Sequence, residues 1–235
     1  MNENFVLHAD SIGKSFKNKR VLSSASMRVS GGGIVGLLGR MGEGKSTLLK
    51  ICAGIDSPDG GWVKYRGKIR SSAFRSLRPA EGLYYLPESG GLAESLTLTQ
   101  HFELFRRRFH LGIADECIER FDVGALMNSS PAAMSTGERR RAEVALLSYS
   151  QPSCLLADEI FRGLDPLTAE TIGCGLQLLA STGCAIIVTG HEVRSLRPYL
   201  TSVVWLTSGT TYEMGNPDNA WENERFRREY LGFLI

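Results

Sequence analysis

Cysteine is sparse, and its spacing suits no metal or redox site: the five residues at positions 52, 117, 154, 174 and 184 form no C-x-x-C pair. This excludes zinc knuckles and dithiol motifs, and the odd number in apolar surroundings predicts reduced core thiols. Long apolar runs are missing too. No stretch approaches the roughly 18 residues that a membrane-spanning helix needs, and Met1-Asn-Glu-Asn-Phe-Val lacks the basic and apolar regions of a signal peptide. The expected location is therefore the cytoplasm. A surplus of one charge is also absent, because 27 Lys and Arg against 25 Asp and Glu leave a formal +2. That balance predicts no nucleic-acid partner. The chain has no internal repeat, and His110 carries no partner at ligand spacing, so it is given no role.

What is present describes a globular protein. Its 235 residues are enough for one domain with a subdomain or two, and 43% hydrophobic against 22% charged residues excludes disorder. The most informative stretch is Gly39-Arg40-Met41-Gly42-Glu43-Gly44-Lys45-Ser46, a complete G-x-x-x-x-G-K-[ST] pattern. It follows the apolar run Ile34 to Leu38 and leads into a segment with helical spacing from Ser46 to Ala53. Strand, glycine loop and helix thus occur in the order that a phosphate-binding loop requires. Gly39, Gly42 and Gly44 let successive N–H groups and the helix N-terminus converge on an anion. Lys45 reaches the β- and γ-phosphates in this arrangement, and the Ser46 hydroxyl helps to hold Mg²⁺.

Around this loop, strands are predicted at Phe5 to Ala9, Ala25 to Val29, Trp62 to Arg66 and Tyr84 to Glu88. Phe16 either stacks on a bound base or packs in the core. From Thr97 to about Ala125 the pattern turns helical, with Leu98, Phe102, Phe105 and Phe109 forming an apolar stripe and Arg106 to Arg108 a solvated face. The block Met134 to Ala142 precedes a helical run at Glu143 to Ser148. Ser135 at its head is either an ordinary helix cap or part of a second anion site.

The apolar run Cys154 to Ala157 ends in Asp158-Glu159. In a parallel sheet the C-terminal strand ends face the ligand, which aims both carboxylates at the phosphate loop. Asp158 is expected to hold Mg²⁺ through water, and Glu159 to polarise the attacking water. A neighbouring run, Cys184 to Val188, ends in Thr189-Gly-His191 and brings an imidazole to the same edge.

Together these residues resemble the ATP-binding subunit of ATP-binding-cassette (ABC) transporters over essentially the whole chain. Gly39 to Ser46 resembles the Walker A loop, Cys154 to Glu159 the Walker B strand with its catalytic glutamate, Gly163-Leu-Asp165 the D-loop, and His191 the switch histidine. Met134 to Glu138 is similar to the family signature Leu-Ser-Gly-Gly-Gln, and Phe16 falls where the family has its adenine-stacking aromatic. The resemblance implies ATP and Mg²⁺ as cofactors, with Glu159 and His191 catalytic. Arg40, Met41, Glu43 and the rest of the loop bind nucleotide with Thr47, Glu88 and Asp165, while Ser46, Asp158 and Glu88 attend the metal. It further implies a homodimer, or a heterodimer with another ABC ATPase subunit, in which Ser135, Thr136, Gly137 and Glu138 of one subunit face the ATP of the other. Integral membrane permease subunits would hold the pair peripherally on the inner face of the cell membrane.

The implied fold is an α/β P-loop NTPase with a mostly parallel central sheet, a small antiparallel β-subdomain and an inserted helical subdomain. Residues 1–88 and 151–221 form the core, 89–150 the helical subdomain and 222–235 a tail helix, all in a single domain of 235 residues. Three positions depart from the family pattern. Glu88 replaces a metal-sensing glutamine, which adds negative charge near the phosphates. Thr136 replaces a glycine, adding a Cβ where backbone approaches ATP, and Glu138 replaces a glutamine. A soluble ABC-type ATPase acting in assembly or regulation, and a slowly hydrolysing module that needs a different partner, remain the alternatives.

Overall fold

The apolar runs of the sequence become five parallel strands. In a computed structural model that describes residues 5–70 and 81–232, these are β3 (Ile34–Leu38), β6 (Leu83–Leu86), β7 (Cys154–Ala157), β8 (Ala185–Thr189) and β9 (Ser202–Thr207). They lie in the order β9-β3-β8-β7-β6 with parallel pairing throughout. The leader reading at residues 1–4 and the parts of the core and tail assignments at 71–80 and 233–235 lie outside the described residues.

Every residue of β3, β7 and β8 is buried, so the side-chain alternation separates two apolar layers rather than core from solvent. Val35, Leu37, Leu156 and Ile187 point into one cluster, whereas Ile34, Leu38, Leu155 and Ile186 point into the other. The first layer is closed by helix α1 (Lys45–Cys52) and by antiparallel strands β1 (Phe5–Phe16), β2 (Lys19–Ser30) and β4 (Gly60–Tyr65), the last paired at its edge with β5 (Lys68–Arg70). β1 and β2 run well beyond the short stretches predicted for them, with bulges between Ala9 and Lys14. The expected small antiparallel sheet is not detached. Strand β10 (Thr210–Gly215) pairs antiparallel with β9 and touches β2 at Thr210↔Ser24, joining the ten strands of the described residues into one curled sheet.

The second layer is covered by helices. Residues 97–125 do not form one continuous helix: α2 (Leu98–Phe109) ends on His110 in the left-handed conformation, and α3 (Asp115–Arg120) follows after a short link. Helix α4 begins at Thr136 and runs to Ser150, earlier than the apolar run at Glu143 suggested, because Ser135 and Glu138 form a capping box at its start. Phe102, Phe121 and Val123 of the inserted segment share one buried cluster with Leu155 and Ile186 of the sheet. Helix α5 (Pro166–Ser181) closes the same layer. The chain then passes through α6 (Val193–Leu196), α7 (Pro217–Glu222) and α8 (Glu224–Phe226), the last continuing as a wider π turn to Leu231. Phe226 anchors this tail against Trp205 and Trp221. Among the described residues no helix is long and apolar enough to cross a membrane.

Candidate active site

Parallel strands end at one edge, and here that edge receives the glycine loop after β3, the turn after β6, Asp158 and Glu159 after β7, and His191 after β8. Gly44 sits at φ +104°, and a Cβ there would come within 2.9 Å of the Val21 and Leu22 side chains. At Gly39 the closest neighbour would be the Leu206 carbonyl, 2.3 Å away. The loop can therefore close over α1 only with glycine at both positions.

Lys45 is 5% exposed and turns its ammonium back on the loop, donating to the carbonyls of Gly39 (2.8 Å) and Arg40 (3.1 Å). Its Nζ lies 3.8 Å from Glu159 Oε1, whose other neighbour is His191 Nε2 at 3.1 Å. Burial lowers the Lys45 pKa and raises that of Glu159, each shift being opposed by the charge of the other. The His191 pKa is lowered by burial and by the cations Lys45 and Arg162, so the ring stays neutral and can donate Nε2–H to Glu159. Glu159 itself adopts a left-handed backbone conformation, φ +51°, which is uncommon outside glycine and turns its side chain into the cleft.

Asp158 is held by groups to which the sequence reading assigned no role. Thr189 Oγ1 donates to Asp158 Oδ1 (2.6 Å) and accepts the Glu159 N–H (2.9 Å), while Tyr85 O–H donates to Asp158 Oδ2 (3.2 Å). The signal for Thr189 was its place at the end of β8, next in space to β7. Tyr85 was hidden inside a strand. Arg162 was also missed, and it forms an ion pair with Glu88.

A cleft of about 350 Å³ brings together Phe16, Met41, Gly42, Gly44, Lys45, Ser46, Thr47, Glu88, Glu159, Arg162 and His191. Phe16 is half-exposed at the rim, with Lys14 Nζ 5.2 Å from its ring centre, so the core alternative does not apply. Arg40 and Glu43 point away from the cleft. Arg40 donates to the Glu229 carbonyl (2.6 Å) and Glu43 accepts the Ser208 N–H (2.7 Å). A wider groove of about 1070 Å³ adjoins at Met41 and His191 and is walled by Arg40 and by Trp221 and Tyr230 of the tail.

Ser135, Thr136, Gly137 and Glu138 do not line the cleft. Ser135 and Thr136 are exposed, and the ordinary-cap reading describes their local bonding: Glu138 Oε2 accepts from both the N–H (2.8 Å) and the O–H (2.7 Å) of Ser135. Gly137 instead faces Thr168 and Asp165 at the head of α5, where Asp165 accepts from the Thr168 N–H (3.0 Å). The chain thus holds a phosphate loop, two carboxylates and an imidazole at one edge. A second, separate helix N-terminus faces solvent.

Comparison with known proteins identifies the family and the fold. The ABC transporter family pattern matches residues 22–162. The lipopolysaccharide export system ATP-binding protein LptB of Haemophilus influenzae is 30% identical over 237 residues, covering 97% of both chains. LptB of Escherichia coli K12 is 30% identical over 96% of this chain and 97% of its own. Among solved structures, an ATP-binding subunit of an ABC transporter superposes with a TM-score of 0.80 at 24% identity, over 97% of this chain and 96% of its own. The ATP-binding cassette MJ0796, in a dimeric post-hydrolysis state with ADP and Pi, superposes at 0.78 with 21% identity, over 89% and 98%. At these identities the superpositions concern the fold.

Proposed function

This chain belongs to the ABC transporter family and is its ATP-binding, ATP-hydrolysing subunit, and from that premise we propose that it is a Mg²⁺-dependent ATPase with Glu159 as general base. The observation that carries this reading is the placement of Glu159 between His191 Nε2 and Lys45 Nζ within the cleft of the phosphate loop. Entry of the triphosphate would draw the Lys45 ammonium from the Gly39 and Arg40 carbonyls to the β- and γ-oxygens. Glu159 then loses its counter-charge and becomes a better acceptor for the proton of an attacking water. His191 keeps the carboxylate oriented by donating Nε2–H, and the Thr189 hydroxyl fixes the backbone of the same turn. Phe16 offers its exposed ring to the base, and Thr47, the next residue in α1 after Ser46, offers a hydroxyl to the phosphates.

The oxygen donors here suit Mg²⁺, a hard cation that keeps several of its waters. Among the described residues the Ser46 hydroxyl takes no protein partner, and Asp158 retains acceptor capacity beyond its two donors. When bound, the ion supplies charge neutralisation on the phosphates. Ser46 would meet it directly and Asp158 through water, whereas the Glu88 carboxylate in the same cleft is already paired with Arg162.

The exposed Ser135 end of α4 supports a head-to-tail pair with a second copy or another ABC ATPase subunit, because it offers helix N–H groups that its own chain's cleft does not use. The segment 89–150 would form the helical subdomain that meets permease subunits, holding the pair at the inner face of the membrane. The end-to-end match to lipopolysaccharide-export ATP-binding proteins supports a membrane partner of that type. The test is phosphate release by purified protein with Mg²⁺ and with EDTA, beside Glu159→Gln. Turnover that needs Mg²⁺ and is lost in the variant supports the reading. Equal turnover in the variant would show that Glu159 is not the base.

A further inference from the structure

Two residues of the cleft carry opposite charges on neighbouring loops. Glu88 lies two residues beyond β6, and Arg162 lies in the turn that follows Asp158 and Glu159 after β7, the parallel neighbour of β6. Both backbones are pinned. Arg140, buried on α4 and paired with Glu143 (2.8 Å), donates to the Glu88 carbonyl (3.2 Å), and the Gly90 N–H donates to the Pro87 carbonyl (3.0 Å). The Arg162 N–H donates to the Glu159 carbonyl (3.1 Å). Between these anchors the side chains meet as an ion pair, and both line the cleft with Lys45, Ser46 and Glu159.

We propose that Arg162 is a positioning residue for nucleotide binding: it neutralises the Glu88 carboxylate and holds it aside, so that the cleft accepts a polyanion despite an acid at its mouth. This deepens the functional reading given above and rests on it. Glu88 and Arg162 are both about half-exposed, and a pair of that kind adds little to fold stability. Its effect is on the ligand. An uncompensated carboxylate in a cleft that binds phosphates opposes every added negative charge, and it opposes ATP more than ADP. The partially shielded site also separates two roles for Arg162, charge compensation through Glu88 and direct grip on phosphate, which a double-variant cycle distinguishes.

The experiment is equilibrium binding of ATP and ADP, without turnover, to the native chain and to Arg162→Ala, Arg162→Lys, Glu88→Gln and the double variant Glu88→Gln/Arg162→Ala. Thermal melts confirm folding, which the exposure of both side chains favours. Arg162→Ala is expected to weaken ATP about tenfold and ADP about threefold, on the scale of one uncompensated charge near the surface. Arg162→Lys stays within about twofold of native, because the charge is kept. In the double variant the loss is recovered to within about threefold of native ATP affinity. Unchanged ATP binding in Arg162→Ala would overturn the proposal. So would a loss that persists in the double variant, since Arg162 would then be gripping phosphate itself. A native chain that binds no ATP, while remaining folded, would overturn the functional reading and this inference with it.

Discussion

The two halves of the proposed nucleotide site are built differently. On the strand-end half, Lys45, Asp158 and Glu159 are 5%, 3% and 6% exposed; Lys45 is held by the carbonyls of its own loop, and Asp158 and Glu159 by Thr189 and His191 at the end of the neighbouring strand. On the α4 half, Ser135 and Thr136 face solvent, and the Ser135 side chain bonds with Glu138 of the same turn. The first half is pre-organised by the sheet, so its charges are desolvated and their mutual effects are strong. The second is a finished helix cap that has no need of the first. Such an arrangement leaves the signature end free to serve a different chain's nucleotide, but only if that nucleotide can displace Glu138 from Ser135.

The comparison is tested most severely by Lys45→Ala. Removing a buried ammonium that is poised to make charge-assisted bonds to phosphate should weaken ATP binding by about a hundredfold or more, measured by fluorescence of a labelled nucleotide. Binding that survives would mean the strand-end half is not the phosphate site. Next comes Glu159→Gln, expected to lower turnover by roughly 10²–10⁴-fold as a lost general base, while ATP affinity stays within about threefold. Light scattering on that variant should show a dimer in Mg-ATP and a monomer in ADP. A monomer in both, with ATP bound, would remove the self-paired assembly and leave the heterodimer.

The pH profile sharpens the same half. Glu159 must be deprotonated to act as base, and burial raises its pKa, so turnover should fall on acidification beginning above the ordinary glutamate range. His191, whose pKa is lowered mainly by burial, gains its proton at a lower pH than a free imidazole would. Residual turnover of Glu159→Gln should lack the limb, and its persistence would assign the titration elsewhere.

Smaller effects are expected on the solvent-facing half. Glu138→Gln removes the charge from the bonds that occupy Ser135, and Thr136→Gly removes a Cβ from the approaching surface. Each should tighten ATP-driven dimerisation of Glu159→Gln by about threefold, consistent with the few tenths to about one kcal/mol at stake in an exposed cap. Weaker dimers in Glu138→Gln would mean that the capping box is part of the assembled site. Smallest is Phe16→Ala, expected to cost about threefold in nucleotide affinity, on the scale of one aromatic stacking contact. Equal loss for ATP and a base-free triphosphate would show that the ring does not meet the base.

Much of this was legible in the residues. The glycine loop could be read because three glycines and a lysine at fixed spacing leave the backbone few alternatives, and the buried strands because runs such as Cys184 to Val188 have no polar face to expose. Helix boundaries were less legible. The start of α4 depends on a capping box whose polar residues interrupt the apolar pattern. The break after Phe109 depends on His110 taking a left-handed conformation that its side chain does not announce. Partners separated widely in sequence, such as Thr189 with Asp158 and Arg162 with Glu88, had no local signature at all.

The sequence by itself determined the chemistry of the strand-end half: which groups could carry phosphate, metal and proton, and that parallel strands would deliver them to a common edge. Those features are local, set by residue type, spacing and the side-chain period of a strand. Tertiary structure alone decided how the charges are balanced. Lys45 and Glu159 shift each other's protonation across the cleft, Glu88 is answered by Arg162 from the adjacent loop, and Ser135 is turned to solvent. Coulomb energy and desolvation depend on distance and burial, and neither is defined until the strands have taken their order in the sheet.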